Sequence, residues 1–245
     1  MHIERHGDVA LLRMQLGKAN AIGPEFLDAM HARLDELGPA RALVVTGYES
    51  FFSAGLDLPS LIGLDEPKMR TFIARFSATM LRLFRLELPV VAALNGHAVA
   101  GGCVLALQAD LRLAADVPLK IGLNEVPLGI GLPAVVLETL RAQVPPASML
   151  PIALEGRLVD ATEALKLGLL HEVYAKPQLL ERALARASEL ARLPPAAFAQ
   201  VKRNLRAPIA ESVERASDDP ARWTSTWFTP EAQERIRATV ARLKK

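Results

Sequence analysis

The feature that most constrains the fold is a recurring order of short apolar runs, each stopped by a turn residue and followed by a stretch of helical spacing. Val9 to Met14 reads as a strand, and after the turn from Gly17 to Asn20 a helix opens with Gly23 ahead of Pro24 and ends near Gly38. Ala42 to Thr46 is a β-branched run stopped by Gly47, and a loop from Tyr48 to Leu58 follows. From Lys68 to Leu86, Met69, Phe72, Ile73, Phe76, Met80, Leu83 and Phe84 recur on one helical face, leaving Arg70, Arg75, Arg82 and Arg85 to a solvated face. Pro89 to Leu94 is again strand-like, Asn95-Gly96 is its turn, and Gly101 to Gln108 reads as a short buried helix. Further strands are predicted at Leu111 to Ala114 and Leu119 to Ile121, then a loop holding Asn124-Glu125 and a helix after Pro133. Asp160-Ala161-Thr162-Glu163 has the spacing of a capping box, Gly168 can close the helix it opens, and Leu170 to Tyr174 is the last strand. Such alternation is the pattern of an α/β fold.

Beyond Pro177 only helical spacing remains: Gln178 to Leu193, a segment after Pro194-Pro195, and Pro230 to Lys245. A boundary is therefore placed near Pro195, dividing a 1–195 core from a 196–245 helical region. Ile236, Val240 and Leu243 form one apolar stripe, so the last helix is expected to dock on the core or on a neighbouring subunit.

Composition narrows the partners. With 51% apolar and 23% charged residues the chain can bury a substantial core, and a formal charge of +2 spread among acids gives no nucleic-acid surface. The single cysteine, Cys103, rules out an internal disulfide and suits a reducing compartment. No apolar run reaches the roughly 18 residues of a membrane helix. The first residues carry no apolar signal core, so the fold is expected to begin at Met1 in a cytoplasmic protein without membrane partners.

Two loops offer chemistry. In Phe51-Phe52-Ser53-Ala54-Gly55-Leu56-Asp57-Leu58 small residues and a glycine let the chain turn sharply and expose the Leu56 N–H. In Asn95-Gly96-His97-Ala98-Val99-Ala100-Gly101-Gly102 the Gly101 N–H falls at a helix start, where unpaired amides and the helix dipole favour an anion. Each loop alone is equally a site of tight backbone packing; together the two amides would make an oxyanion hole. Elsewhere the signals are weaker. His97 and Cys103 read as packing residues, His2 and His6 are four apart but at a strand-like terminus rather than on a helix, and His171-Glu172 lacks the second histidine of a zinc-protease motif. Gly129 to Ala134 fits a dinucleotide fingerprint only superficially, since it lies mid-chain and includes Pro133.

These two loops, with the downstream Gly122-Leu123-Asn124-Glu125, resemble in order and spacing the crotonase (enoyl-CoA hydratase/isomerase) superfamily, and the resemblance spans essentially the whole chain, including Asp110 and Ala161 to Val173. More narrowly, Phe-Ser-Ala-Gly-Leu-Asp-Leu, Ala-Gly-Gly-Cys-Val-Leu-Ala-Leu and Ile-Gly-Leu-Asn-Glu look like the mitochondrial type of Δ3,Δ2-enoyl-CoA isomerase. The resemblance implies a spiral of repeated ββα units and a C-terminal helical region used for trimer contacts, in a homotrimer or a dimer of trimers. It also implies an acyl-CoA thioester held between the two loops, with no cofactor beyond the coenzyme A carried by the substrate and no metal.

Under the same resemblance the amides of Leu56 and Gly101 bind the thioester oxygen, while Ser53, Ala54, Asp57, Leu58, Gly102 and Val104 shape the substrate site. Asp57 is also readable as a turn or cap residue, and Lys18 is offset from the family's CoA-lining segment. Hydratases that resemble this chain carry two glutamates; the first position corresponds to Val104 and the second to Glu125. Valine moves no proton, and one carboxylate suffices to shift a double bond, so the expectation is an isomerase with Glu125 as proton shuttle. Burial among Leu123, Val126 and Leu128 is expected to raise its pKa. The alternatives are a one-carboxylate hydratase or other lyase, and a non-catalytic acyl-CoA-binding scaffold. The pocket wall is expected from the helix near Lys68 to Phe84 and from a C-terminal helix.

Overall fold

The structure, a computed structural model, describes residues 1–217 and 221–243. It opens with an antiparallel hairpin, β1 (His2–His6) and β2 (Val9–Arg13), followed by helix α1 (Pro24–Asp35). A first strand pair, β3 (Ala42–Thr46) and β4 (Phe51–Ser53), leads through the short α2 (Leu58–Leu61) to the long α3 (Glu66–Phe84). The second pair is β5 (Val90–Leu94) and β6 (His97–Val99), followed by α4 (Gly101–Leu107). The third is β7 (Leu111–Asp116) and β8 (Ile121–Gly122), followed by α5 (Ala134–Gln143). Then come α6 (Ala161–Lys166), β9 (Glu172–Ala175), α7 (Leu179–Ala191), α8 (Pro195–Ser217), α9 (Ala221–Trp227) and α10 (Pro230–Leu243).

Each pair gives one strand to each of two sheets, which is the ββα spiral. The larger sheet has the order β1-β2-β3-β5-β7-β9 and is parallel from β2 onward; the smaller is β4-β6-β8, all parallel. The corner between the sheets is tight. A Cβ on Gly47 would collide with the Phe51 carbonyl and one on Gly96 with the Ser50 carbonyl, so both corners need glycine. Asn95 ties successive corners by accepting from Gly47 N at 2.9 Å and donating to the Glu49 carbonyl at 3.2 Å. Pairing of β4 with β6 contains an irregularity: Phe51 faces His97 and Ser53 faces Ala98, so Phe52 is the extra residue of a bulge.

Strand alternation sorts the core into two layers. Val9, Leu11, Val44, Val91, Leu113 and Ala115 point to the face covered by α7, whose Leu179, Ala183, Ala187 and Ala191 form one stripe. Leu12, Leu43, Val45, Ala92 and Leu94 point the other way, into a core shared with α1, α3, α4 and the C-terminal helices. That second core includes Val213, Trp227, Ala232, Ile236 and Val240, so α10 docks on its own chain. Burying a side chain such as Ile236 contributes about 1.5–3 kcal/mol, before the entropy of ordering it.

Most sequence expectations hold, with local differences. Asp160 caps α6 by accepting from Glu163 N at 2.8 Å, and Gly168 at φ +78° closes it. Helix α3 starts two residues early because Asp65 accepts from Lys68 N at 2.9 Å and Pro67 suits a first turn. The expected loop from Tyr48 contains β4, whose three residues are too few for a periodic signal. The expected strand at Leu119 to Ile121 is displaced to Ile121–Gly122. Gly129 to Ala134 follows a 3-10 turn at Val126–Leu128 rather than a strand, so the dinucleotide fingerprint lacks its context. Among the described residues no helix is long and apolar enough to cross a membrane, and no group of three or more His, Cys, Asp or Glu could hold a metal.

Candidate active site

The three strands of the small sheet run parallel, and each is followed within a few residues by one element of the site. Leu56 follows β4, Gly101 follows β6 and Glu125 follows β8. Loops at the carboxyl ends of adjacent parallel strands are brought to one edge by the strand ladder itself.

The first loop hangs on the segment before α1. Ile22 N donates to Gly55 O at 2.7 Å and Asp57 N donates to Ile22 O at 3.0 Å, a parallel bridge that turns the Leu56 N–H away from Ile22. Ser53 holds the loop from behind: its hydroxyl donates to Asn20 O at 2.8 Å and accepts from Gly55 N at 3.2 Å. Asn20, buried and at φ +51°, accepts from Leu16 N and donates to the carbonyls of Met14 and Phe52. Sequence reasoning passed over Asn20; its signal was an asparagine ending a turn, the residue type that tolerates a left-handed backbone and bonds its neighbours.

In the second loop Ala100 N donates to Gly122 O at 2.8 Å, and Ala100 O accepts from Val104 N at 3.0 Å to start α4. Ala100 lies at φ +50°, ψ −120°, a region costly for a residue with a Cβ, by about 1–3 kcal/mol. A methyl group placed on Gly101 would sit 3.5 Å from the Leu56 nitrogen and 3.4 Å from Gly55 Cα, so the two amides border one small space. Neither N–H has an acceptor among the described residues.

Glu125 sits just past β8, at the head of the 3-10 turn, where its carbonyl accepts from Leu128 N at 2.9 Å and Ile130 N at 3.0 Å. Its side chain is 9% exposed, and Oε2 is buried with no partner among the described residues. Burial without a counter-charge pushes its pKa up to about 7. The shielding differs from expectation: Leu123 is buried, but Val126 is 44% exposed. The neighbouring Cys103 is buried, and burial pushes its thiol up to about 12, an inert group. His97 packs on Phe51 at 5.1 Å and accepts from Lys120 N, a packing role.

All these elements meet at a cavity of about 400 Å³. Of the residues singled out from sequence, Leu56, Gly101, Glu125, Ala54, Asp57, Leu58 and Val104 line it, and so does Lys18. Ser53 and Gly102 stand behind the wall, where a Cβ on Gly102 would collide with the Ser53 carbonyl. Val104, fully buried, enters from the first turn of α4. Asp57 holds the N-cap position of α2 without a side-chain cap hydrogen bond, its Oδ2 3.4 Å from where a Gly23 Cβ would lie. The expected walls are present: Ile73 and Phe76 from α3, Thr239 and Leu243 from α10. Asn124, part of the motif that carries the resemblance, also lines the cavity, and so does Trp223 of α9, which nothing in its local sequence marks out.

Comparison with known proteins agrees with this geometry. The family model for enoyl-CoA hydratase/isomerase matches residues 4–240. A probable enoyl-CoA hydratase of Rhizobium meliloti is 31% identical over 99% of this chain and 95% of its own length. A carnitinyl-CoA dehydratase of Citrobacter koseri is 33% identical over 87% of this chain and 83% of its own. The crystal structure of human mitochondrial Δ3-Δ2-enoyl-CoA isomerase superposes with a TM-score of 0.93 at 29% identity, covering 99% of this chain and 97% of that one. The chain belongs to the enoyl-CoA hydratase/isomerase family.

Proposed function

We propose that the protein is a Δ3,Δ2-enoyl-CoA isomerase in which Glu125 alone carries the proton. The thioester oxygen of a 3-enoyl-CoA accepts from the N–H groups of Leu56 and Gly101. The Glu125 carboxylate removes a proton from C2, and the electron pair passes into a dienolate whose oxygen charge the two amides stabilise. One such donor typically contributes about 2.7–4 kcal/mol to lowering the barrier. The Glu125 carboxylic acid then returns the proton to C4, leaving the double bond between C2 and C3. A group with a pKa of about 7 serves both halves of this cycle near neutral pH. The coenzyme A belongs to the substrate, and no other cofactor enters the cycle.

The observation that carries this reading is one buried carboxylate with a free oxygen lining the same cavity as the two amides and as Val104, which stands where a second acid would be needed to manage water. Likeness to the human isomerase supports it. The hydratase and dehydratase names of the two relatives favour a second reading, in which Glu125 activates water for addition to a 2-enoyl-CoA. Incubation with 3-enoyl-CoA and 2-enoyl-CoA, following conjugation and hydration separately, decides between them. Conjugation without net hydration, lost in a folded Glu125→Gln protein, is the expected result; a fully active Glu125→Gln protein would remove Glu125 from the reaction. A trimer is the assembly that fits the family resemblance, and the exposed apolar side chains Val201 and Leu205 on α8 support an interface there.

A further inference from the structure

We propose that Trp223 is the wall that ends the acyl-chain site, so that the enzyme selects apolar acyl groups up to the length at which the terminal methyl meets the indole. The inference rests on the reading that this cavity holds an acyl-CoA thioester.

Exposure sorts the cavity into a mouth and a closed end. Lys18, Pro59 and Leu243 are exposed and border the mouth, whereas Ile73, Phe76, Ile130, Val136 and Trp223 are buried apolar residues, which we assign to the closed end. The nucleotide portion of a CoA thioester is highly polar and belongs at the mouth, so the acyl chain runs toward the closed end, past the amides of Leu56 and Gly101.

At that end the polar atom of the Trp223 side chain is already used, and the one buried, unpartnered side-chain polar atom lining the cavity besides Glu125 Oε2, among the described residues, is Asn124 Oδ1, next to the catalytic carboxylate in sequence. The indole Nε1–H of Trp223 donates to Gly131 O at 2.7 Å, leaving only ring surface to the cavity. Gly131 N in turn donates to Thr226 Oγ1 at 2.9 Å, and that hydroxyl donates to Trp223 O at 2.8 Å. Both backbone groups of Gly131 are thus tied to α9, and the Trp227 ring backs Trp223 at 5.6 Å. These three hydrogen bonds and the ring contact hold the indole against Gly131. A hydroxylated acyl tail reaching it would lose its hydrogen bonds to water without replacement. A quaternary ammonium tail could instead be drawn to the ring face, and the test includes that case.

The chain has two tryptophans, Trp223 and Trp227, so its emission reports on this wall. Saturated acyl-CoAs of increasing length, which bind without reacting, are titrated into the wild-type protein. The expected result is a change in tryptophan emission that is absent with free CoA and short acyl groups and sets in at one chain length. The same length should mark where kcat/KM for 3-enoyl-CoA substrates stops rising. In a folded Trp223→Ala protein the optimum should move to longer chains, each further methylene that finds room raising kcat/KM about fourfold. If that variant does not fold, the wild-type titration decides alone. Equal emission changes for free CoA and every acyl length, an unchanged length profile in folded Trp223→Ala, or preference for a trimethylammonium-bearing acyl-CoA would each overturn the proposal. Failure of the isomerase reading looks different: the emission threshold is present, but no conjugation follows.

Discussion

Two carboxylates in this protein are enclosed by the fold and treated in opposite ways. Asp110 is saturated: Oδ2 accepts from Val90 N at 2.7 Å and Lys202 Nζ at 2.6 Å, and Oδ1 accepts from Arg206 Nη2 at 2.6 Å. Its two cations are themselves anchored, Lys202 on Leu88 O at 2.7 Å and Arg206 on the carbonyls of Phe84 and Gln108, with the guanidinium over the Phe84 ring. Glu125 is left with a free buried oxygen and no cation. The first arrangement fastens α8 to the start of β5 and the end of α4; the second holds a carboxyl group at a pKa where it can give and take a proton. The chemistry of the site comes from partners withheld, and the stability of the neighbouring knot from partners supplied.

The largest expected effect comes from breaking the saturated side. Asp110→Asn leaves Lys202 and Arg206 buried without their anion and should cost about 3–5 kcal/mol in urea denaturation; a loss under 1 kcal/mol would show the knot to be dispensable. The site can next be damaged without touching either carboxylate. Gly101→Ala would set a methyl 3.5 Å from the Leu56 nitrogen, inside the space assigned to the thioester oxygen. Turnover should fall about 10²–10³-fold with the thermal transition little changed; normal turnover would separate those amides from the reaction.

Removing the other carboxylate should have the opposite sign on stability. The Glu125 pKa rises from 4.5 to about 7 on folding, so between those values the folded protein holds a proton that the unfolded chain has released. Stability therefore falls as pH rises through that window and is level above it. Glu125→Gln escapes this loss and should gain on the wild type by up to about 3 kcal/mol between pH 5 and pH 8. Parallel denaturation curves at both pH values would contradict the shift. The smallest effect is kinetic: with Glu125 as base, kcat/KM should rise about tenfold per pH unit below 7 and then level. A profile that breaks near 4.5 would place the base in a solvated setting.

Much of this was legible in the sequence because the relevant signals are local. Gly47, Gly96 and the β-branched runs before them mark the corners and strands, and Asp160 with Gly168 brackets a helix. Leu56, Gly101 and Glu125 are singled out through the resemblance of the two loops and of Gly122 to Glu125 to the family's motifs, since each loop alone reads equally as tight backbone packing. What was not legible depends on contacts remote in sequence. Ser53 and Gly102 sit in loops of the right type, yet face away from the cavity because each packs against the other loop. Trp223 reaches the cavity only through the folding of α9 onto Gly131, 92 residues away in the chain. Asp110 and its two cations are likewise joined across intervals of 92 and 96 residues, which no periodicity records.

The bulge at Phe52 carries a further consequence. Because Leu56, Gly101 and Glu125 each trail a strand of the same ladder, their relative height is set by how those strands are paired, and one step of slippage is about 3.3 Å. That is longer than a hydrogen bond. Strand registration therefore acts as the gauge block of this active site: excising Phe52 would keep every functional side chain and still carry the Leu56 amide out of range of its counterpart on α4.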